Sequence, residues 1–335
     1  MTTGGTTMTR EPIVERLCNG DMLLMDGGTG SELQRRGADV LKDAEDRLKA
    51  WSATANIEYA EVVQQVHSDY LRVGADIIIS NNFWTTPTRL ERIGEQDNWR
   101  TYATAAIRNA VQARDAMNPD AYVAGGIAAP SLQGGLPPVH NPASDTQQMG
   151  VEAYRKEWSD HAKLLADEGA DVMLPEYVGF IEDCVVAVDG CAEAELPVFL
   201  GVRHIMDDGT MNYGENLTDL AGALEGHPVD AVLIMCSNPE NISKGLPILR
   251  EAFAGPVGAY PNIGYNPTGP IVNAPMLTNQ KPSAGEDILQ NADYYPSRLA
   301  EFATEWKGMG AQIIGGCCAA GPEHIQAMRP VVKEC

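Results

Sequence analysis

Long apolar runs are missing from this 335-residue chain. None approaches the roughly 18 consecutive apolar residues of a membrane helix, so a spanning reading has no support. Basic charge is scarce as well: 24 Lys and Arg face 46 Asp and Glu, for a formal net charge of −22. Such a chain repels phosphates, and it has no Lys/Arg cluster to engage a nucleic acid or a membrane surface. The acidic surface instead keeps the protein solvated or mildly attracts cationic small molecules. The amino-terminal stretch MTTGGTTMTREP lacks the apolar centre of a signal peptide. A floppy lead-in over residues 1–12 and a cytoplasmic location are therefore the expectation. Cysteine comes to seven, an odd count that suits reduced thiols or metal ligands better than a disulfide framework.

What the chain does contain is a succession of eight short apolar, β-rich runs, separated by stretches of helical periodicity. They are LLMD (Leu23–Asp26), DIIIS (Asp76–Ser80), YVAGGI (Tyr122–Ile127), DVMLPE (Asp171–Glu176), PVFLGV (Pro197–Val202), AVLIMC (Ala231–Cys236), PVGAYP (Pro256–Pro261) and QIIGGC (Gln312–Cys317). Most do not alternate with polar residues, as expected of parallel strands covered on both faces. In VGADIII, EGADVML and MGAQIIG a glycine stands where a helix can end in the left-handed conformation before a strand starts. Eight such units predict a single (β/α)8 TIM barrel over residues 13–335. A doubly wound sheet would announce a G-x-G-x-x-G turn after its first strand; DGGTGSELQ (Asp26–Gln34) is glycine-rich without that spacing. The Pro/Gly/Asn-rich stretch around residues 262–295 is expected to form a long loop after the seventh strand.

A barrel carries its chemistry at the carboxyl ends of its strands. Those ends hold Asp26, Asn81–Trp84, Glu176–Tyr177, Cys236 and Cys317–Cys318. Thiols ending the sixth and eighth strands lie near enough to converge on one ion, with Gly315 and Gly316 expected to turn the backbone so that the adjacent thiols point the same way. Three sulfurs favour Zn2+ among divalent ions and leave one tetrahedral position open. Three thiolates leave such a centre with a net negative charge, poor for generating hydroxide but suited to keeping a substrate thiol as an electron-rich thiolate. Cys236 taken alone reads as a small buried hydrophobe; the neighbouring pair favours a metal. Cys18, Cys184, Cys191 and Cys335 have no such company, the six histidines show no ligand spacing, and His324 is expected to open the last helix. Asp26 and Glu176 read either as loop salt bridges or caps, or as a site for a substrate ammonium group. Phe83, Trp84, Tyr177 and Tyr260, with Trp51 in a preceding loop, read either as core packing or as a box for a methylated onium.

The segments DGGTGSELQRRG, SNNFWTTPTRL, MCSNPENI, AYPN and IIGGCCAAGPEHIQAM together resemble the homocysteine S-methyltransferase family, from about Asp26 to Met328. Its members include betaine–homocysteine and S-methylmethionine–homocysteine methyltransferases. The resemblance implies the barrel, Zn2+ held by Cys236, Cys317 and Cys318, and homocysteine sulfur at the open metal position. By the same likeness Asp26 and Glu176 hold the amino group of homocysteine, and Gly27 and Gly28 line the amino-acid pocket. The methyl group comes from a sulfonium or quaternary ammonium donor (S-methylmethionine, glycine betaine or dimethylsulfoniopropionate) beside Trp51, Trp84 and Tyr177. Methionine is the product, and no protein group beyond the zinc-activated substrate thiolate is expected to do chemistry. Relatives are often homo-oligomers, though no helix here marks an interface. Two positions depart from the family pattern. Met235 precedes Cys236 where Asn is common, and Trp84, which cannot ligate zinc, stands where the betaine branch has tyrosine. They leave open a different thiol or selenol as acceptor and, less favoured, a barrel that binds zinc or an osmolyte without turnover.

Overall fold

The computed structural model describes residues 10–38, 40, 50–132, 143–211, 213–264 and 293–333. Within them eight strands alternate with helices, and each strand lies on one of the eight apolar runs. The strands are β1 (Leu23–Leu24), β2 (Ile77–Ile79), β3 (Tyr122–Ala128), β4 (Val172–Glu176), β5 (Phe199–Arg203), β6 (Ala231–Met235), β7 (Val257–Tyr260) and β8 (Ala311–Ile314). All pairings are parallel, in the orders β1-β8-β7-β6-β5 and β2-β3-β4. Parallel bridges Met25↔Ile77 and Met173↔Val198 join the two sets, so every strand has a parallel neighbour on each side. The class expected from the sequence, α/β with parallel strands, is the one observed.

The absence of polar alternation has a direct cause. On β6, Ala231, Leu233 and Met235 join an inner cluster with Leu23, Met25, Leu174 and Phe199, while Val232 and Ile234 pack outward on the helices. Both faces are dry, so neither needs polar residues. A helix not foreseen in the sequence, α1 (Ile13–Cys18), sends Ile13 and Leu17 into the inner cluster. It lies at the amino ends of the strands, where Gln312 donates to the Leu17 carbonyl and the Tyr122 hydroxyl to that of Glu11. Each of these buried aliphatic side chains stabilises the floor by about 1.5–3 kcal/mol. The opposite, carboxyl-terminal rim is left for loops.

The helix–glycine–strand junctions behave as the spacing predicts. Helices Ala60–Arg72, Val151–Asp167 and Pro296–Gly308 are followed by Gly74, Gly169 and Gly310 at φ 104°, 102° and 90°, a region that L side chains avoid. His324 lies in the first turn of the last helix, Pro322–Lys333, and is buried there. Among the described residues no helix is long and apolar enough to cross a membrane. Residues 1–9 of the expected lead-in, residues 265–292 of the expected loop and Cys335 lie outside the described residues.

Candidate active site

Strand β6 ends at Met235, and the next residue, Cys236, takes φ 49°, a left-handed conformation rare outside glycine. The turn is held by the Cys236 N–H on the Tyr260 carbonyl (3.1 Å) and by the Ser237 hydroxyl on the Met235 carbonyl (3.1 Å). After β8, the Cys317 N–H donates to Pro261 O (2.8 Å) and the Ile263 N–H to Cys318 O (3.1 Å), so the loops of β6, β7 and β8 form one hydrogen-bonded unit. That unit brings the sulfurs of Cys236, Cys317 and Cys318 within 4.8 Å of one another, a set that could hold a metal ion. The Asn262 amide also reaches the Cys236 sulfur, at 3.5 Å.

The three thiols are chemically coupled. Hydrogen bonds from Cys317 and Cys318 push the Cys236 thiol well below its usual range, and donating to Cys236 holds the other two well above theirs. Together they stabilise one negative charge; a divalent cation would let all three ionise. Gly315 and Gly316, expected to let the backbone turn ahead of the thiols, do not use positive φ there. Gly316 is small because the chain returns on itself: a Cβ there would lie 2.4 Å from the Ala320 Cβ. Gly28 is pressed the same way, its hypothetical Cβ 2.6 Å from the Cys317 carbonyl oxygen. The loop after β1 thus fits against the cysteine loop.

A cavity opens over the thiols, walled by Gly27 and Gly28, Trp51 and Trp84, and Glu176 and Tyr177. Of the residues to which the family resemblance gives a role, Asp26 alone stands back from its wall. Asp26 is fully buried; its Oδ2 accepts the Ile79 N–H at 2.8 Å and its Oδ1 has no hydrogen-bond partner. Burial pushes its carboxyl well above the usual range, and the nearby Glu176 adds to this. Glu176 is itself pushed up to about 8 by burial, although the Tyr260 hydroxyl donates to it at 3.0 Å. Neither carboxyl forms an ion pair among the described residues, so both lack the salt bridge of the structural reading. Two neighbouring buried carboxyls, one with an orphan oxygen, suit a cationic guest.

The aromatic wall departs from an open box. The guanidinium carbons of Arg89 and Arg92 sit 4.6 and 5.1 Å from the Trp84 ring centroid, and that of Arg203 sits 4.3 Å from Tyr177. These rings already hold cations, which leaves less of their π-faces for an onium. Sequence reasoning missed these arginines, and also His204, whose Nε2 lies 3.3 Å from the Tyr177 hydroxyl. Left-handed backbone at Ser131 (φ 52°), Tyr177 (63°), His204 (53°) and Cys236 (49°) recurs after four successive strands, strain of the kind that collects at functional rims. No residue type announces it. The inward parity of β5, which places Arg203 in register with Met235, was the one available signal. Met235 supplies a sulfur acceptor for the Tyr177 N–H (2.9 Å) and the Tyr260 hydroxyl (3.3 Å).

Comparison with known proteins agrees with this geometry. A family model described as Homocysteine S-methyltransferase matches residues 23–332. A homocysteine S-methyltransferase of Escherichia coli (strain K12) is 28% identical over 333 residues, covering 95% of this chain and 97% of its own. The S-methylmethionine–homocysteine S-methyltransferase BHMT2 of Rattus norvegicus is 25% identical, with 98% and 83% covered. Among solved structures, the metallated form of the homocysteine methyltransferase MmuM from Escherichia coli shares the fold with a TM-score of 0.72 at 24% identity, covering 95% of this chain and 99% of that one.

Proposed function

Since this chain belongs to the homocysteine S-methyltransferase family, we propose that it is a zinc-dependent enzyme that transfers a methyl group from a sulfonium or quaternary ammonium donor to homocysteine, giving methionine. The observation that carries this reading is the convergence of three thiols from two different strand ends, beneath a cavity backed by two buried carboxyls. On the same reading the eight strands are a (β/α)8 barrel and residues 13–335 one domain, with chemistry confined to one rim.

The donor set fits zinc, which prefers soft thiolates and accepts three protein ligands with a fourth position open. Cys236, Cys317 and Cys318 would hold the ion, and the MmuM structure in its metallated form supports a metal in a relative of this fold. When bound, Zn2+ supplies the positive charge that keeps a further sulfur deprotonated at neutral pH. The remaining work falls to the chain. Glu176 on the wall, with the Asp26 carboxyl close behind it, provides the negative charge for the homocysteine ammonium, which draws the carboxyls back towards the ionised form. Gly27 and Gly28, pressed against the Ala320 and Cys317 carbonyls, line the amino-acid pocket with backbone. Trp51, Trp84 and Tyr177 exclude water around the donor methyl.

Dryness matters because the two reactants carry opposite charges. The homocysteine sulfur lone pair forms the new S–CH3 bond, and the electrons of the broken bond leave with the donor as a thioether or tertiary amine. Charge disperses in the transition state, so a water-poor, aligned site favours it. The test is methionine formation by protein of measured zinc content, offered homocysteine with S-methylmethionine, glycine betaine and dimethylsulfoniopropionate in parallel. Methionine carrying the skeleton of isotope-labelled homocysteine supports the reading and identifies the donor, the label being needed because S-methylmethionine itself becomes methionine on losing its methyl group. No methionine, at zinc near one per chain, would refute homocysteine as acceptor and bring another thiol or a selenol forward.

A further inference from the structure

Strand β7 contributes no thiol, yet its loop touches all three cysteine segments. The Pro261 carbonyl accepts the Cys317 N–H at 2.8 Å, the Ile263 N–H donates to Cys318 O at 3.1 Å, and the Asn262 N–H donates to the carbonyl of Ser237, next to Cys236, at 3.0 Å. Asn262 itself is 1% exposed. Its Oδ1 accepts the Gly264 N–H at 2.9 Å, a short turn of the kind asparagine closes with its own side chain. That bond decides which way the amide faces. With Oδ1 on a backbone donor, Nδ2 is the atom turned to the Cys236 sulfur, 3.5 Å away. The reversed amide would set Nδ2 against the Gly264 N–H and an oxygen against the sulfur.

A methyltransferase built on cysteine ligands has a selectivity problem. Cys236, Cys317 and Cys318 all line the cavity that would admit the methyl donor. With homocysteine bound, the three protein sulfurs and the substrate sulfur share one divalent charge, so each is electron-rich and each is a nucleophile. A cysteine that took the methyl group would end as a thioether, a poor ligand, and the site would be lost. An N–H donor on a thiolate holds its lone pair. That bond weakens once the sulfur is alkylated, because a thioether is a weak acceptor. Alkylation of a sulfur so held is therefore slower, and for Cys236 the structure supplies the donor.

We propose that Asn262 is a positioning residue whose amide, hydrogen-bonded to the Cys236 sulfur, shields that cysteine from alkylation and leaves the methyl group to the substrate thiol. The inference rests on the methyltransferase reading. The step it suppresses is a displacement in which a Cys236 lone pair forms an S–CH3 bond and the electrons of the broken bond leave with the donor. The bonds to Ser237 and Gly264 pin Asn262 from both sides, so its amide stays on the sulfur.

The test uses zinc-loaded, full-length protein without homocysteine and methyl iodide as the probe, so neither the natural donor nor the acceptor has to be known. A sulfur lone pair displaces iodide, and mass spectrometry of peptides quantifies methylation of Cys236 against that of the exposed Cys18. Asn262→Leu, neutral and of similar size, removes the N–H donor; Asn262→Asp removes it while keeping an oxygen for the Gly264 N–H. In both, methylation of Cys236 relative to Cys18 should rise at least about tenfold over wild type at unchanged zinc content, in line with the loss of a charge-assisted hydrogen bond. A purely structural role would not move the second readout. In cobalt-substituted protein the sulfur-to-metal charge-transfer band should shift to longer wavelength in both variants, because the lone pair is no longer held. Equal methylation of Cys236 in wild type and variants overturns the proposal, and so does an unmoved band. Loss of zinc from both variants would assign Asn262 to assembling the loops and refute the shielding role. Should Asn262→Leu not fold, Asn262→Asp gives the same comparison. A protein that makes no methionine from any donor yet shows the shielding would sustain the role of Asn262 and refute only homocysteine as acceptor.

Discussion

Replacing Glu176 with Gln should make the metal-free protein more stable while damaging the enzyme. Burial moves the Glu176 carboxyl from 4.5 to about 8, because its charged form loses water and gains no cation in return. A group that binds its proton more tightly when folded stabilises the fold at low pH. That contribution is complete below about pH 4.5 and is lost as pH rises through about 8. At 1.36 kcal/mol per unit, keeping Glu176 in the fold costs about 3 kcal/mol at pH 7 and about 1 kcal/mol at pH 5. Gln carries no charge in either state and still accepts from the Tyr260 hydroxyl, so it escapes both costs. Its new amide N–H2 faces the backbone of Gly126, where the carboxyl Oε2 lies, and an unpaired donor there offsets about 1 kcal/mol at every pH. The diagnostic quantity is therefore the difference between the two pH values, since the amide cost cancels. Urea unfolding of zinc-free wild type and Glu176→Gln should show the variant gaining about 2 kcal/mol more at pH 7 than at pH 5. The same substitution should raise the homocysteine KM at least about tenfold through the lost ion pair with the ammonium. A variant with the pH dependence of the wild type would refute the uncompensated carboxyl. Unchanged homocysteine KM would remove Glu176 from the amino-group site.

Three further outcomes follow from the same geometry. Cys236→Ala should abolish zinc retention, read by metal analysis after dialysis, and methionine formation with it, while circular dichroism stays near wild type; a fully active variant would sink the three-thiolate centre. Gly28→Ala drives a methyl into the Cys317 carbonyl oxygen, 2.6 Å from the ideal Cβ, so its loop must shift; zinc affinity measured by chelator competition should fall at least about tenfold, and unchanged affinity would show the loop to be compliant. Trp84→Ala should raise the donor KM more than the homocysteine KM, because it opens the methyl side of the cavity to water and frees the stacked Arg89 and Arg92; an equal effect on both substrates would take Trp84 out of the donor site.

Much of the site was legible because its chemistry needs rare residue types. Adjacent cysteines after a β-rich run, and another ending the sixth run, can be read without coordinates once strand ends are recognised. Glu176 and Tyr177 were found by the same rule. Asp26 was found too, but its setting was not: it braces the Ile79 N–H behind the cavity wall, since its fate depends on the strand beside it. The close approach that leaves no room for a side chain at Gly315 and Gly316 was not legible, because contact with a distant segment leaves no local trace in a sequence.

The strand succession, the parallel class and the inventory of thiols were determined by the sequence alone, because periodicity and residue chemistry are properties of neighbours along the chain. Helix α1 beneath the ring, the left-handed residues after four successive strands and the arginines stacked on Trp84 and Tyr177 were decided only by the tertiary structure. Arginine on a surface and arginine buried without a counter-ion have the same letter. Which of the two it becomes depends on what the fold brings within a few ångströms, and that is fixed by the closure of strands far apart in sequence.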